Sequence, residues 1–326
     1  MSTKELKEMR AVYTETLIEL AKEDPRIVVL EADLMKATGT GSFGAVFPHR
    51  TFNVGVAEAN MVGVAAGLSA RGQIPFAATF CCFASRRAFD QFFISANYAR
   101  LNVKLVGTDP GVSAAFNGGT HMSFEDIALM RAIPKLVIFE PSDPVSLKAL
   151  VREAVNHTGC TYLRLHRKPI PPLYPETETF QFGRGKVLRE GKDVAIIALG
   201  AIMVPEALKA ADLLAQEGVS ATVIDILTVK PLDEELVLHW GKETGAVVTA
   251  ENHQRMGGLG SAVAEVLAEN RVAVLRRVGI QDEFGEVGTQ AYLQERFGLT
   301  AARIVEASRS AVASKAMRQS AVELHM

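Results

Sequence analysis

One proline-rich stretch, Lys168-Pro169-Ile170-Pro171-Pro172-Leu173-Tyr174-Pro175, splits this sequence into two parts that share the same rhythm. Proline has no amide donor and a fixed backbone angle, so neither a helix nor a central strand runs through such a stretch. Before it, apolar runs at 27–30, 103–107, 136–139 and 162–165 read as strands. They alternate with helical patterns such as 9–21 and 123–132. After it, strand-like runs at 194–199, 221–226, 246–249 and 272–277 are separated by helical patterns such as 205–217 and 260–268. That order predicts an α/β fold of two domains, each a mostly parallel sheet with helices on both faces, divided as 1–175 and 176–326. The residues from about 311 onward are helix-prone.

A length of 326 residues suits two such domains. Lys and Arg (35) nearly balance Asp and Glu (37), and the net charge of -2 gives no reason to expect nucleic acid or an anionic membrane as partner. The start, Met1-Ser2-Thr3-Lys4-Glu5-Leu6-Lys7-Glu8, is charged and lacks the apolar stretch of a secretory signal, so a cytoplasmic location is expected. Three cysteines, adjacent Cys81 and Cys82 with Cys160 apart, offer neither a disulfide framework nor metal spacing and read as buried apolar residues. The apolar segment 59–70 is too short to cross a bilayer, and its Gly63-x-x-x-Gly67 spacing reads as close helix packing in a soluble protein.

Several patterns carry chemistry weakly or not at all. Gly39-Thr40-Gly41-Ser42-Phe43-Gly44 satisfies the dinucleotide GxGxxG pattern, but a true fingerprint opens a helix straight after a strand, and here proline interrupts the following residues. The segment reads as a flexible loop, with cofactor phosphate binding as the minor alternative. Gly257-Gly258-Leu259-Gly260-Ser261 reads as a tight strand-to-helix turn, although an anion could sit on its amides. The seven histidines form no His-x-x-x-His or Cys-His grouping, and no Gly-x-Ser-x-Gly elbow occurs, which disfavours metal hydrolysis and acyl-serine chemistry.

The most informative stretch is 52–67, where an apolar strand meets a helix of small residues and the lone carboxylate of Glu58 stands at the join. Taken alone, a glutamate there complements the positive end of a helix dipole. Downstream, Phe80 and Phe83 fit either a flat apolar slot or core packing, and the glycine-rich loop 111–121 ends in His121 just before a helix. A satisfied loop histidine is the plain alternative for His121.

In order and spacing, these segments resemble the carboxyl-terminal half of transketolase, its pyrimidine-binding domain followed by its carboxyl-terminal domain, over nearly the whole chain. Further support comes from Glu125-Asp126-Ile127-Ala128-Leu129-Met130-Arg131-Ala132-Ile133-Pro134, Glu140-Pro141-Ser142-Asp143-Pro144 and Asp282-Glu283-Phe284-Gly285-Glu286-Val287-Gly288-Thr289. The resemblance implies thiamine diphosphate as cofactor and transfer of a two-carbon ketol unit from a ketose to an aldose. It implies that Glu58, once buried, shares a proton with the aminopyrimidine and promotes its imino tautomer. Phe80 and Phe83 would hold that ring, and Asp33 and Leu34 would flank the cofactor. Arg86 would join these cofactor-binding residues, at a position where some relatives have tyrosine. His121 matches the histidine that bonds sugar oxygens, and Arg167 the arginine that grips the substrate phosphate, although a guanidinium suits any tetrahedral anion.

Two positions depart from the family pattern. Asn117 stands where Gly-x-Asp-Gly-x-Thr-His has aspartate, and Asp109 stands about where transketolases often have a phosphate-binding histidine. These changes leave the sugar open: a pentose phosphate, a modified sugar phosphate, a sulfosugar, or a different acceptor. The Gly-Asp-Gly motif that holds Mg²⁺ and the diphosphate does not occur here. The resemblance therefore implies a partner, an N-terminal transketolase subunit, in an α2β2 heterotetramer, with Mg²⁺ bound mainly by that partner and no metal ligand in this chain. The β subunit of a 2-oxoacid dehydrogenase E1 component is an alternative, disfavoured by the Gly119-Thr120-His121 loop and the run 127–131. A non-catalytic binding or regulatory subunit is another, disfavoured by the joint presence of Glu58, Phe80, Phe83 and His121.

Overall fold

The computed structural model describes residues 6–323, with side chains described as far as 318. The first five residues of the charged amino-terminal stretch lie outside it. The strands, in chain order, are β1 Ile27–Glu31, β2 Thr51–Asn53, β3 Ile74–Phe80, β4 Lys104–Thr108, β5 Val137–Phe139 and β6 Thr161–Leu165. They continue as β7 Lys186–Arg189, β8 Val194–Ala198, β9 Ala221–Asp225, β10 Thr228–Lys230, β11 Ala246–Gln254 and β12 Val274–Ile280. The helices of the first half are α1 Met9–Glu23, α2 Met35–Thr38, α3 Gly41–Val46, α4 Glu58–Ala70, α5 Cys81–Arg86, α6 Phe89–Gln91, α7 Asp126–Arg131 and α8 Pro144–Asn156. Those of the second half are α9 Gly200–Gln216, α10 Glu234–Thr244, α11 Leu259–Asn270, α12 Gln290–Phe297 and α13 Ala301–Glu323.

Strands β1, β3, β4 and β6 are buried along their whole length, and β1 accordingly reads as a continuous apolar run rather than an alternating one. They form the centre of a seven-stranded sheet in the order β10-β5-β6-β4-β3-β1-β2, parallel except where β10 runs antiparallel to β5. Alternate residues feed two cores. Leu30, Ala77, Leu105 and Tyr162 point to one face, and Val29, Phe76, Val106 and Leu163 to the other, where α1 and α8 pack. The second sheet has the order β12-β11-β8-β9-β7 and is parallel except for β7. Ala195, Ile197, Ile224 and Val247 of this second sheet join the same core as Leu30 and Leu105.

The expected mostly parallel sheets with covering helices are observed. Three local expectations are corrected. Residues 39–44 are not a loose loop: Gly41 opens the short helix α3, because Thr38 and Thr40 donate to buried Glu31 at 2.7 and 2.6 Å and Phe43 is buried against Phe47. Helix α7 begins at Asp126, shorter than the pattern 123–132 suggests. The Gly63-x-x-x-Gly67 spacing does not mark a helix contact within the chain. A side chain added at either glycine would meet nothing within 4 Å, and α4 buries its other face through Met61, Val62, Ala65 and Ala66. Cys81, Cys82 and Cys160 are free and buried, as expected. Among the described residues, no helix is long and apolar enough to cross a membrane.

A tie between the sheets is Arg164 of β6, which is fully buried. Its guanidinium donates to Asp126 at 2.7 and 3.3 Å, to Glu140, and to the carbonyl of Asn252 in β11 at 3.1 Å. The Tyr162 hydroxyl adds a bond to Asp126 at 2.8 Å. One guanidinium cannot neutralise two carboxylates. Against the pull of burial, Arg164 holds Asp126 below the usual carboxylate range, whereas burial pushes Glu140 up to about 7. Glu140 in turn lies against the start of α9, where a Cβ on Gly200 would come within 2.1 Å of its Oε1. Only glycine fits there, and its φ of +77° suits glycine as well. Replacing Arg164 with Met leaves Asp126 as an uncompensated buried charge, and should lower stability in chemical denaturation by about 3–5 kcal/mol. Adding Asp126→Asn and Glu140→Gln should recover part of that loss.

Candidate active site

In a parallel sheet, ligands bind beyond the carboxyl ends of the strands, because the loops that leave those ends are free to carry side chains. Most of the residues singled out from sequence lie there. Asp33 and Leu34 follow β1, Phe80 ends β3, Asp109 follows β4 and Arg167 lies two residues beyond β6. Phe80, Thr108 and Leu165 share one register row across β3, β4 and β6, so Asp109 stands immediately past the row that carries Phe80.

Glu58 is the first residue of α4 and only 4% exposed. Its Oε1 accepts a hydrogen bond of 3.0 Å from Arg87 Nη1. The same guanidinium lies over the Phe83 ring, 4.0 Å from its centroid. Phe83 is 5.9 Å from Phe80, with the rings tilted by 34°. His121 meets both rings edge-on, at 6.0 Å from Phe80 and 5.2 Å from Phe83. Glu58, Phe80, Phe83 and His121 therefore form one cluster, joined by Arg87. The slot is a tilted pair closed by an imidazole rather than two parallel faces.

The loop bearing His121 is held from three sides. Thr120 Oγ1 lies 2.9 Å from His121 Nδ1. Arg86 donates to the Thr120 carbonyl at 2.8 Å and sits 3.4 Å from Glu125. Gly119 packs so tightly on Gly285, from the segment 282–289, that a Cβ would fall 2.0 Å from the Gly285 carbonyl. Arg86 thus braces the loop. Asn117 is exposed, beside Phe116, which is 72% exposed.

Asp33 is exposed, at a positive φ of 63°. Its amide donates to Asn53 Oδ1 at 3.0 Å, and Asn53 Nδ2 donates back to its carboxylate at 3.3 Å. Half-buried Leu34 follows it. The loop is anchored from beneath by Glu31, whose carboxyl burial pushes up to about 7.

Asp109 is buried, and Arg167 Nε lies 3.0 Å from its Oδ1. Neither Asp109 oxygen accepts a hydrogen bond among the described residues, so the contact is one of charge. Burial pushes Asp109 up to about 6, against the pull of Arg167, Arg10 and Lys168. A cleft of about 620 Å³ between α1 and α2 takes in none of these site residues. No cluster of three or more potential metal ligands occurs among the described residues.

Sequence reasoning missed Arg87 and Glu31. Nothing in the tandem Arg86-Arg87 says which arginine turns inward, and Glu31 reads as the tail of a strand. Arg87 nevertheless tests whether the cluster fits an aminopyrimidine. A planar group presenting N–H donors already lies over Phe83 and binds Glu58, which are the contacts an aminopyrimidine offers. The residues fit that ring.

The chain matches two family models. Residues 6–172 match the transketolase pyrimidine-binding domain, and residues 183–304 match the transketolase C-terminal domain. It is 52% identical over 310 residues to a 6-deoxy-6-sulfo-D-fructose transketolase subunit of Clostridium sp. (strain MSTE9), covering 95% of this chain and 96% of the relative. It is 45% identical to a putative transketolase C-terminal section of Methanocaldococcus jannaschii, covering 90% of this chain and 92% of the relative. Among solved structures, an inactive β4 tetramer of a split-gene transketolase superposes with a TM-score of 0.88 at 47% identity, over 94% of this chain and 99% of that one.

The Glu58–Arg87 pair joins a buried carboxylate to a half-exposed cation. A double-mutant cycle with Glu58→Gln and Arg87→Ala, read by thermal and denaturant unfolding, should give a coupling of about 1 kcal/mol or more, above that of a surface pair. From its domains, its site and its relatives, the chain belongs to the transketolase family.

Proposed function

We propose that this chain is the carboxyl-terminal subunit of a thiamine diphosphate-dependent transketolase, which moves a two-carbon ketol unit from an anionic ketose to an aldose. The observation that carries this reading is buried Glu58 holding a planar N–H donor over Phe83, with His121 closing the slot. We read residues 1–175 as the pyrimidine-binding domain and 176–326 as the carboxyl-terminal domain, a division supported by the proline-rich stretch between the two matched segments.

Thiamine diphosphate, when bound, supplies a nucleophilic carbon that accepts and releases the ketol unit. Glu58 would hold a proton at the ring nitrogen of the aminopyrimidine, after Arg87 has moved off its carboxylate. Phe80 and Phe83 would keep the ring flat and water out. His121, braced by Thr120 and Arg86, would bond the sugar oxygens. Asp33 and Leu34 would flank the cofactor, Asn117 would face the sugar, and Arg167 would meet the anionic end of the substrate.

The sequence lacks the Gly-Asp-Gly motif, so a partner subunit would hold Mg²⁺ and the diphosphate, in an α2β2 assembly. That the related split-gene β4 tetramer is inactive supports the need for such a partner. Free, buried cysteines suit the cytoplasm.

The test mixes this chain with its partner, thiamine diphosphate and Mg²⁺, and follows two-carbon transfer from a panel of ketoses, with pyruvate decarboxylation measured in parallel. Glu58→Gln should lower kcat by about 10²-fold or more while the assembly still forms. Full activity in that variant, or turnover of pyruvate alone, would overturn the reading.

A further inference from the structure

The geometry points to Asp109 as a specificity-determining residue that sets the charge of the accepted sugar: its contact with Arg167 favours a donor ending in a singly charged sulfonate over one ending in a doubly charged phosphate. This inference rests on the two-carbon-transfer reading above and names the class of its donor. Sulfonate and phosphate monoester ends share a tetrahedral shape with three terminal oxygens, so a guanidinium greets both alike. They differ in charge. A phosphate ester carries close to two negative charges at neutral pH, and a sulfonate carries one.

Arg167 lies two residues beyond β6, and Asp109 already sits against it at 3.0 Å, buried and with neither oxygen hydrogen-bonded. Arg10, whose charge also acts on Asp109, is engaged as well. It donates to Glu8 at 2.7 Å and to the carbonyls of Lys36 and Ala37 at 3.1 and 2.9 Å. Lys168 is exposed and has no ion pair among the described residues. His166 is buried, and burial pushes its pKa down to about 4, so it adds no charge. Two cations matched by two carboxylates leave one unmatched positive charge, which balances a monoanion. The second charge of a phosphate would instead face the Asp109 carboxylate across Arg167, and like charges brought together at a binding site are costly. The site lies one residue beyond the row that carries Phe80, within reach of a sugar whose reacting end meets the aromatic cluster.

The 52% identical Clostridium subunit belongs to a transketolase whose substrate is a sulfonated fructose. That relative makes the sulfonate a realistic substrate, and Asp109 supplies a physical reason for the choice.

The experiment uses the reconstituted pair with thiamine diphosphate and Mg²⁺, and three ketohexose donors that differ only at C6: sulfonate, phosphate or hydroxyl. Wild-type kcat/KM for the sulfonate should exceed that for the phosphate about tenfold or more, mainly through KM. Asp109→Asn should narrow that ratio to within about threefold by lowering the phosphate KM, and Arg167→Gln should bring both charged donors toward the hydroxyl donor. A wild-type enzyme that uses phosphate as well as or better than sulfonate overturns the inference, even if Asp109→Asn does not assemble. An unchanged ratio in an assembled Asp109→Asn enzyme overturns it too. Transfer that prefers phosphate leaves the parent reading standing; no ketol transfer from any donor removes both.

Discussion

One buried guanidinium ties the two sheets together beside the carboxyl ends of the strands. Arg164 sits inside the first sheet, yet its partners come from three places: Asp126 at the start of α7, Glu140 after β5 and, across the sheets, Asn252 in β11; Glu140 in turn lies against Gly200 at the start of α9. Buried ions are costly unless their hydrogen bonds are satisfied, so these elements hold one geometry or lose the network. Arg164 lies three residues before Arg167 and fixes the strand end from which that cation emerges. Asp126 opens the helix that follows the His121 loop. The same network therefore locates the two ends of the proposed site, the aromatic cluster and the anion pair.

Electrostatics then separates those ends. At the aromatic end, Glu58 is buried with a single cationic partner that lies over an apolar ring, an arrangement open to exchange with another flat donor. At the other end, Asp109 and Arg167 are already paired, which under the proposal restrains how much negative charge a substrate can bring. Among the described residues, neither end gathers the three or more carboxylate, His or Cys ligands that a divalent cation requires. On the proposed reading, activity is a property of an assembly rather than of this chain.

Much of the fold was legible because strands buried on both faces of a parallel sheet are nearly all apolar, as 27–30 and 136–139 are. Less legible were elements whose character comes from distant partners. Strand β3 carries Pro75 near its start and runs straight into helix α5, so no clear strand boundary shows in sequence. Edge strands β7 and β10 are short and contain lysine, and β10 leaves its own half of the chain to pair with β5 in the other sheet. The GxGxxG segment looked mobile because glycine permits it, whereas Glu31 and two threonine hydroxyls hold it in place. In the site, the residue types that matter for chemistry stood out by family resemblance. Arg87 did not, since only the folded chain shows an exposed arginine turning back onto a carboxylate 29 positions away.

The most direct test of a half-site is cofactor binding itself. Thiamine diphosphate with Mg²⁺ would be titrated calorimetrically into this chain alone, into its partner alone and into their equimolar mixture. A shared site predicts saturable, high-affinity binding only in the mixture, weakened there by Glu58→Ala. Equally tight binding by this chain alone would contradict it.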